Sequence, residues 1–140
     1  MGNSIPGAVF AFLIGYSGKR VFWEVTTFCM LVSGLGTWLI GGIGTNHIGA
    51  SGVIYGWLTY LLLRGIFNRS LPQILLGLVL AFFYSSLIWG VLPGTPGVSW
   101  QAHLCGAIGG LLAGMFITSD DPPELVAKRE AKLARKQAGR

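Results

Sequence analysis

The chain has 140 residues, 52% of them hydrophobic and only 11% charged, with a formal net charge of +5. A water-soluble domain of this size needs a charged surface, so the composition excludes one and points to an all-α membrane protein. The positive balance does not indicate nucleic acid, because the basic residues lie beside hydrophobic ends with no aromatic-basic surface accompanying them.

No basic region precedes the first apolar run and no small-residue cleavage site follows it, so the N-terminus does not read as a secretory signal. Five hydrophobic stretches follow in order: Ile5 to Tyr16, Val21 to Ile40, Ser51 to Leu63, Gln73 to Leu92 and Trp100 to Thr118. A helix needs about 20 residues to cross the hydrocarbon core, so the second, fourth and fifth have spanning length and the first and third are short. At about 1.5 Å per residue the third covers only ~20 Å, which predicts that it starts below the membrane surface, sheathed by its neighbours. The runs from Val25 to Leu63 and from Pro72 to Ser119 carry no charge at all.

The connections alternate in character. Lys19 and Arg20 fall in the first, Arg64 and Arg69 in the third, and the other six basic residues after Thr118, whereas the second and fourth carry none. All ten Lys and Arg thus fall on one side of an alternating five-helix topology. By the positive-inside rule that side and the C-terminus are cytoplasmic. Trp38, Trp89 and Trp100 sit near the opposite, outer ends, where indoles favour the interface. Glu24, four residues after Arg20, reads as an i, i+4 ion pair. Cys29 and Cys105 fall inside apolar segments as small hydrophobes, so neither a disulfide nor a metal site is expected. The chain divides into a membrane domain, residues 1–118, and a basic tail, 119–140, whose helical run reads as an anchor at anionic headgroups.

The chemistry-bearing residues lie toward the outer side. Gly106, Gly110 and Gly114 recur at four-residue intervals, and small residues at that spacing let two membrane helices approach closely. His103 lies two turns before Gly110 and shares that face. The third segment, with Gly52 and Gly56, offers a matching flat surface, and Tyr55 lies one turn below Ser51. If the two faces meet, Ser51 gains His103 as a base, which a serine hydroxyl needs before it can act as a nucleophile. No Asp precedes Asp120 and Glu24 is at the other end, so the arrangement would be a Ser-His dyad, its imidazole oriented by packing, with Tyr55 a candidate for that contact. The Ser51 N–H, at a helix N-terminus, could hold a developing oxyanion.

Gly49-Ala50-Ser51-Gly52, followed about fifty residues later by His103, Gly106 and Gly110, resembles the rhomboid family of intramembrane serine proteases. The resemblance runs from about Asn3 to the tail. It implies a polytopic helical bundle whose short central helix carries the GxSG serine, Ser51, at the floor of an outward-facing cavity. It further implies His103 as base, Tyr55 packed on the imidazole, Gly49, Gly52, Gly106 and Gly110 in supporting positions, and no cofactor. Asn3 matches the asparagine of the family's H-xxx-N, which helps line the oxyanion hole, while its histidine would fall before Met1. The family core has six helices, so about five are expected here with the first incomplete. Implied partners are transmembrane protein substrates in a lipid bilayer, in a bacterial cell membrane with the active site opening outward.

Rival readings accompany each residue. Ser51 alone reads as a small helix-capping residue, and His47, four residues before it, as a solvated loop histidine that competes as base. A rhomboid-like protein without activity that binds membrane-protein clients is the alternative to the protease. A pore lined by glycine-rich helices would need polar groups through the full depth of the bilayer, and here they cluster in the outer half.

Overall fold

The computed structural model describes residues 4–41, 50–94, 96–117 and 123–139. Helices joined by turns make up these residues, with no strand among them. The elements are α1 (Ser4–Tyr16), α2 (Lys19–Ile40), α3 (Ser51–Asn68), α4 (Leu71–Phe83), a 3-10 segment (Ser85–Val91), α5 (Trp100–Phe116) and α6 (Pro123–Ala138).

The burial pattern of α2 shows how the bundle is built. Val21, Val25, Cys29, Ser33 and Thr37, each four residues from the next, are its buried positions, and that spacing keeps them on one narrow stripe. The stripe packs against α5 and α3, while Trp23, Leu35, Trp38 and Leu39 project outward from the same helix. Trp38 is 79% exposed and Phe82, on α4, is 77% exposed. An exterior of large apolar side chains over an interior with Cys, Ser, Thr and Gly is the arrangement of helices packed in lipid, where close backbone approach rather than hydrophobicity selects the interface. By length and composition α2 is the one described helix able to cross a membrane alone; α4 and the 3-10 segment reach that measure only together, and they meet at a 74° bend.

Three sequence expectations change. The third segment does not stop at Leu63: α3 runs 18 residues to Asn68, so it is longer than the 13-residue apolar run suggested. The fourth is not one straight span, since α4 ends at Phe83 and the chain turns into the 3-10 segment. Arg64 belongs to α3 rather than to the connection after it. It is 4% exposed, donates to the Ser17 hydroxyl in the α1–α2 turn and lies 5.8 Å from the centre of the Tyr60 ring. A cation can stay on a packed helix when a hydroxyl and an aromatic face replace its water. The expected Arg20–Glu24 pair forms, with N–O distances of 3.0 Å to both carboxylate oxygens.

α3 lies at the centre, in contact with α1, α2, α4 and α5. Phe10 and Ile14 of α1, Val21 and Val25 of α2, and Ile54, Leu58 and Leu61 of α3 form the apolar core. The α3–α5 contact is the most extensive in the molecule and sets the position of everything that follows.

Candidate functional site

Helices α3 and α5 cross backbone to backbone. A Cβ built on Gly106 would collide with the Gly52 carbonyl, and one on Gly110 with the Gly56 carbonyl; one on Gly56 would stand 2.9 Å from the Gly106 carbonyl. Further along, Gly114 lies beside Arg64 and Phe67. The register advances in the same sense on both helices, so they run parallel and their N-termini, bearing Ser51 and His103, lie at the same end. Cys29 of α2 fills the space beside Gly56, and Cys105 fills that beside Gly36. Near the N-terminal end the Ser33 hydroxyl donates to the Ala102 carbonyl at 3.1 Å, and a Cβ on Gly52 would collide with that hydroxyl.

Helix α5 starts on a side-chain cap, with the Ser99 hydroxyl accepting from the Ala102 N–H at 3.3 Å. The cap sets His103 one turn in, 8% exposed. Its ring lies flat against Tyr55, with centroids 4.0 Å apart and planes inclined by 11°. Its Nδ1 is 2.8 Å from the carbonyl oxygen of Gly90 in the 3-10 segment. A carbonyl can only accept, so this contact puts the proton on Nδ1 and leaves the Nε2 lone pair free. The imidazole is thus held on one face by a phenol ring and on one edge by a backbone carbonyl.

Ser51 is the first residue of α3 and is partly exposed. The N-cap before it, Ala50, has no side chain able to reach the first N–H groups of the helix, so among the described residues no side-chain cap occupies them. Among the described residues no hydrogen bond joins the Ser51 hydroxyl to the His103 imidazole. Gly52 lies on the crossing, against Ala102 and Gly106. Asn3, His47 and Gly49 lie outside the described residues.

Two contributors escaped sequence reasoning. Ser33 is separated from Ala102 by 69 positions, and only the four-residue stripe of small and polar residues on α2 hinted that it faces inward. The Gly90 carbonyl carries no side-chain signature at all. Among the described residues no group of three or more His, Cys, Asp or Glu is arranged to hold a metal ion.

The chain resembles known proteins over most of its length. The family model described as Rhomboid domain matches residues 1–120. Uncharacterized proteins of Mycobacterium tuberculosis and Mycobacterium bovis are each 41% identical over 137 residues, covering 92% of this chain and 57% of their own length. One from Mycobacterium leprae is 42% identical over 127 residues, covering 85% of this chain and 50% of its own. The chain therefore spans roughly half the length of these relatives. No solved structure matches it.

Proposed function

Because the chain belongs to the rhomboid family, a family of membrane proteins, we propose that it is an intramembrane serine endopeptidase acting through Ser51 and His103 on transmembrane or membrane-adjacent segments of other proteins. The observation that carries this reading is the held imidazole: His103 is stacked on Tyr55, tethered through Nδ1, and set at the same end of the α3–α5 crossing as Ser51.

In this mechanism the Ser51 hydroxyl attacks the peptide carbonyl as His103 Nε2 takes its proton. The same proton passes from Nε2 to the leaving amine, giving an acyl-enzyme, and water activated by Nε2 then releases the acid and restores the serine. The uncapped Ser51 N–H at the start of α3 stabilises the tetrahedral oxyanion, with the Asn3 amide as the second donor that the family motif implies. Gly52, Gly106 and Gly110 keep the helices close, and Gly49 holds the supporting position that the family motif implies. The dyad needs no cofactor. Contact between hydroxyl and imidazole tightens when substrate fills the site, as free enzymes often hold such groups apart.

The same reading places residues 1–118 in the membrane as about five segments, with the basic connections and the tail, 119–140, in the cytoplasm and the site opening outward. The membrane is that of a bacterium, in keeping with the mycobacterial relatives.

A rhomboid-like protein that binds membrane-protein clients without cutting them is the second reading, favoured by the lack of a Ser51–His103 hydrogen bond. Labelling the native chain in detergent micelles with a serine-directed fluorophosphonate separates the two. The protease is expected to label, with Ser51→Ala abolishing the signal and His103→Ala slowing it by roughly 10²–10⁴-fold. A native chain that does not label, and leaves a panel of transmembrane substrates intact, belongs to the binder.

A further inference from the structure

We propose that Gly90 is a positioning residue for His103, its carbonyl taking the place that a carboxylate holds in a serine-histidine-aspartate triad; the inference rests on the catalytic reading above and specifies how its base is held. Gly90 is near the C-terminal end of the 3-10 segment, where the last carbonyls of a helix lack intrahelical partners. The Trp89 carbonyl accepts from the Leu92 N–H, while the Gly90 carbonyl accepts from His103 Nδ1 at 2.8 Å. Two requirements meet at this position. The carbonyl must reach the imidazole edge, and no side chain can stand in front of the two stacked rings. A Cβ on Gly90 would collide with the Tyr55 hydroxyl, and would stand 2.9 Å from Tyr55 Cζ and 3.1 Å from His103 Nδ1. The backbone of the 3-10 segment therefore closes over the edge of both rings, and only glycine allows it to come so near.

The consequence for the base is specific. With the Nδ1 proton donated to Gly90, the neutral imidazole is fixed in the tautomer whose Nε2 accepts a proton, and a ring flip that exchanged the two nitrogens would break this hydrogen bond. A neutral carbonyl makes a hydrogen bond roughly half as strong as a carboxylate does, so it orients the ring and stabilises the imidazolium only modestly. Because the carbonyl belongs to the segment joined to α4 through a 74° bend, the orientation of the base depends on how that bent pair seats against α5.

The test combines imidazole nitrogen NMR of the full chain in micelles with kinetics of two variants, the signals of His103 being those lost in His103→Ala. In the native protein Nδ1 is expected to carry the proton and Nε2 to show the shift of an unprotonated nitrogen. Gly90→Ala is expected to lower kcat about 10- to 100-fold with KM little changed and to let the ring populate the Nε2–H tautomer. Adding Tyr55→Phe removes the atom that the new Cβ meets first, so the double variant is expected to recover part of the lost rate and the native tautomer. A native spectrum dominated by Nε2–H overturns the proposal, even if Gly90→Ala fails to fold. So does a Gly90→Ala enzyme with native rate and native spectrum. The spectrum also separates this inference from the catalytic one: an active enzyme with Nε2–H removes only the role of Gly90, whereas an inactive chain with Nδ1–H keeps the contact and removes the protease.

Discussion

At the scale of single residues, the Tyr55 ring limits the freedom of the imidazole that it covers. The two planes are nearly parallel at 4.0 Å, a separation at which an aromatic pair contributes about 0.5–1.5 kcal/mol beyond the area it buries. Both rings are almost wholly buried, so the stack is not shared with solvent. Tyr55→Ala is expected to slow fluorophosphonate labelling of Ser51 by about 10-fold, the rate equivalent of ~1.4 kcal/mol, while Tyr55→Phe keeps a ring in place and labels within about threefold of native. Equal rates for native and Tyr55→Ala would show that something else holds the imidazole. The Tyr55–His103 stack was legible in the sequence because each residue carries a side chain whose chemistry is unusual in an apolar helix. The Gly90 carbonyl was not, because a backbone oxygen belongs to every residue and only the tertiary bend aims this one at Nδ1.

At the scale of elements, the α3–α5 crossing depends on the absence of two side chains. The atoms that a new Cβ on Gly106 or Gly110 would meet are backbone carbonyls on α3, which cannot rotate aside as a side chain could. Gly106→Ala and Gly110→Ala are therefore each expected to destabilise the fold by about 1–3 kcal/mol, read as a lower midpoint of unfolding in detergent. Gly34→Ala is the control, since nothing lies within 4 Å of a Cβ there, and its midpoint is expected to stay level or rise. Equal behaviour of the three variants would mean that the helices are not in close contact. The crossing was readable from the four-residue glycine spacing. The end of α3 was not: Arg64 interrupts the apolar run and so looks like a terminus, yet the Ser17 hydroxyl and the Tyr60 ring accommodate it one turn before the true one. The break in the fourth segment was hidden for the opposite reason: no charge or proline interrupts Gln73 to Leu92, and Tyr84-Ser85-Ser86 at the break are polar residues that an unbroken span also tolerates.

At the scale of the whole molecule, charge and chemistry separate to opposite ends of the helices. The α3 and α5 N-termini and the Gly90 carbonyl lie together, whereas Lys19, Arg20, Arg64 and Arg69 gather around the α1–α2 turn and the C-terminal end of α3, to which the Arg64–Ser17 hydrogen bond ties them. Five more cations, Lys128, Arg129, Lys132, Arg135 and Lys136, are exposed on α6. In the topology proposed above, moving any of the basic connections outward would carry cations across the hydrocarbon, so their combined bias is the argument for placing this end in the cytoplasm. The orientation can be read with single-cysteine chains in which Cys29 and Cys105, both buried, are replaced by alanine. A membrane-impermeant maleimide added to intact cells whose outer barrier has been permeabilised is expected to label Val98→Cys, just before α5, and to leave Gln137→Cys on α6 unlabelled until the inner membrane is lysed. Reversed labelling would put the Ser51 end in the cytoplasm, where substrates presented from outside could not reach it. Labelling of both sites from outside would remove the odd number of crossings between Val98 and the tail, and with it α5 as a span.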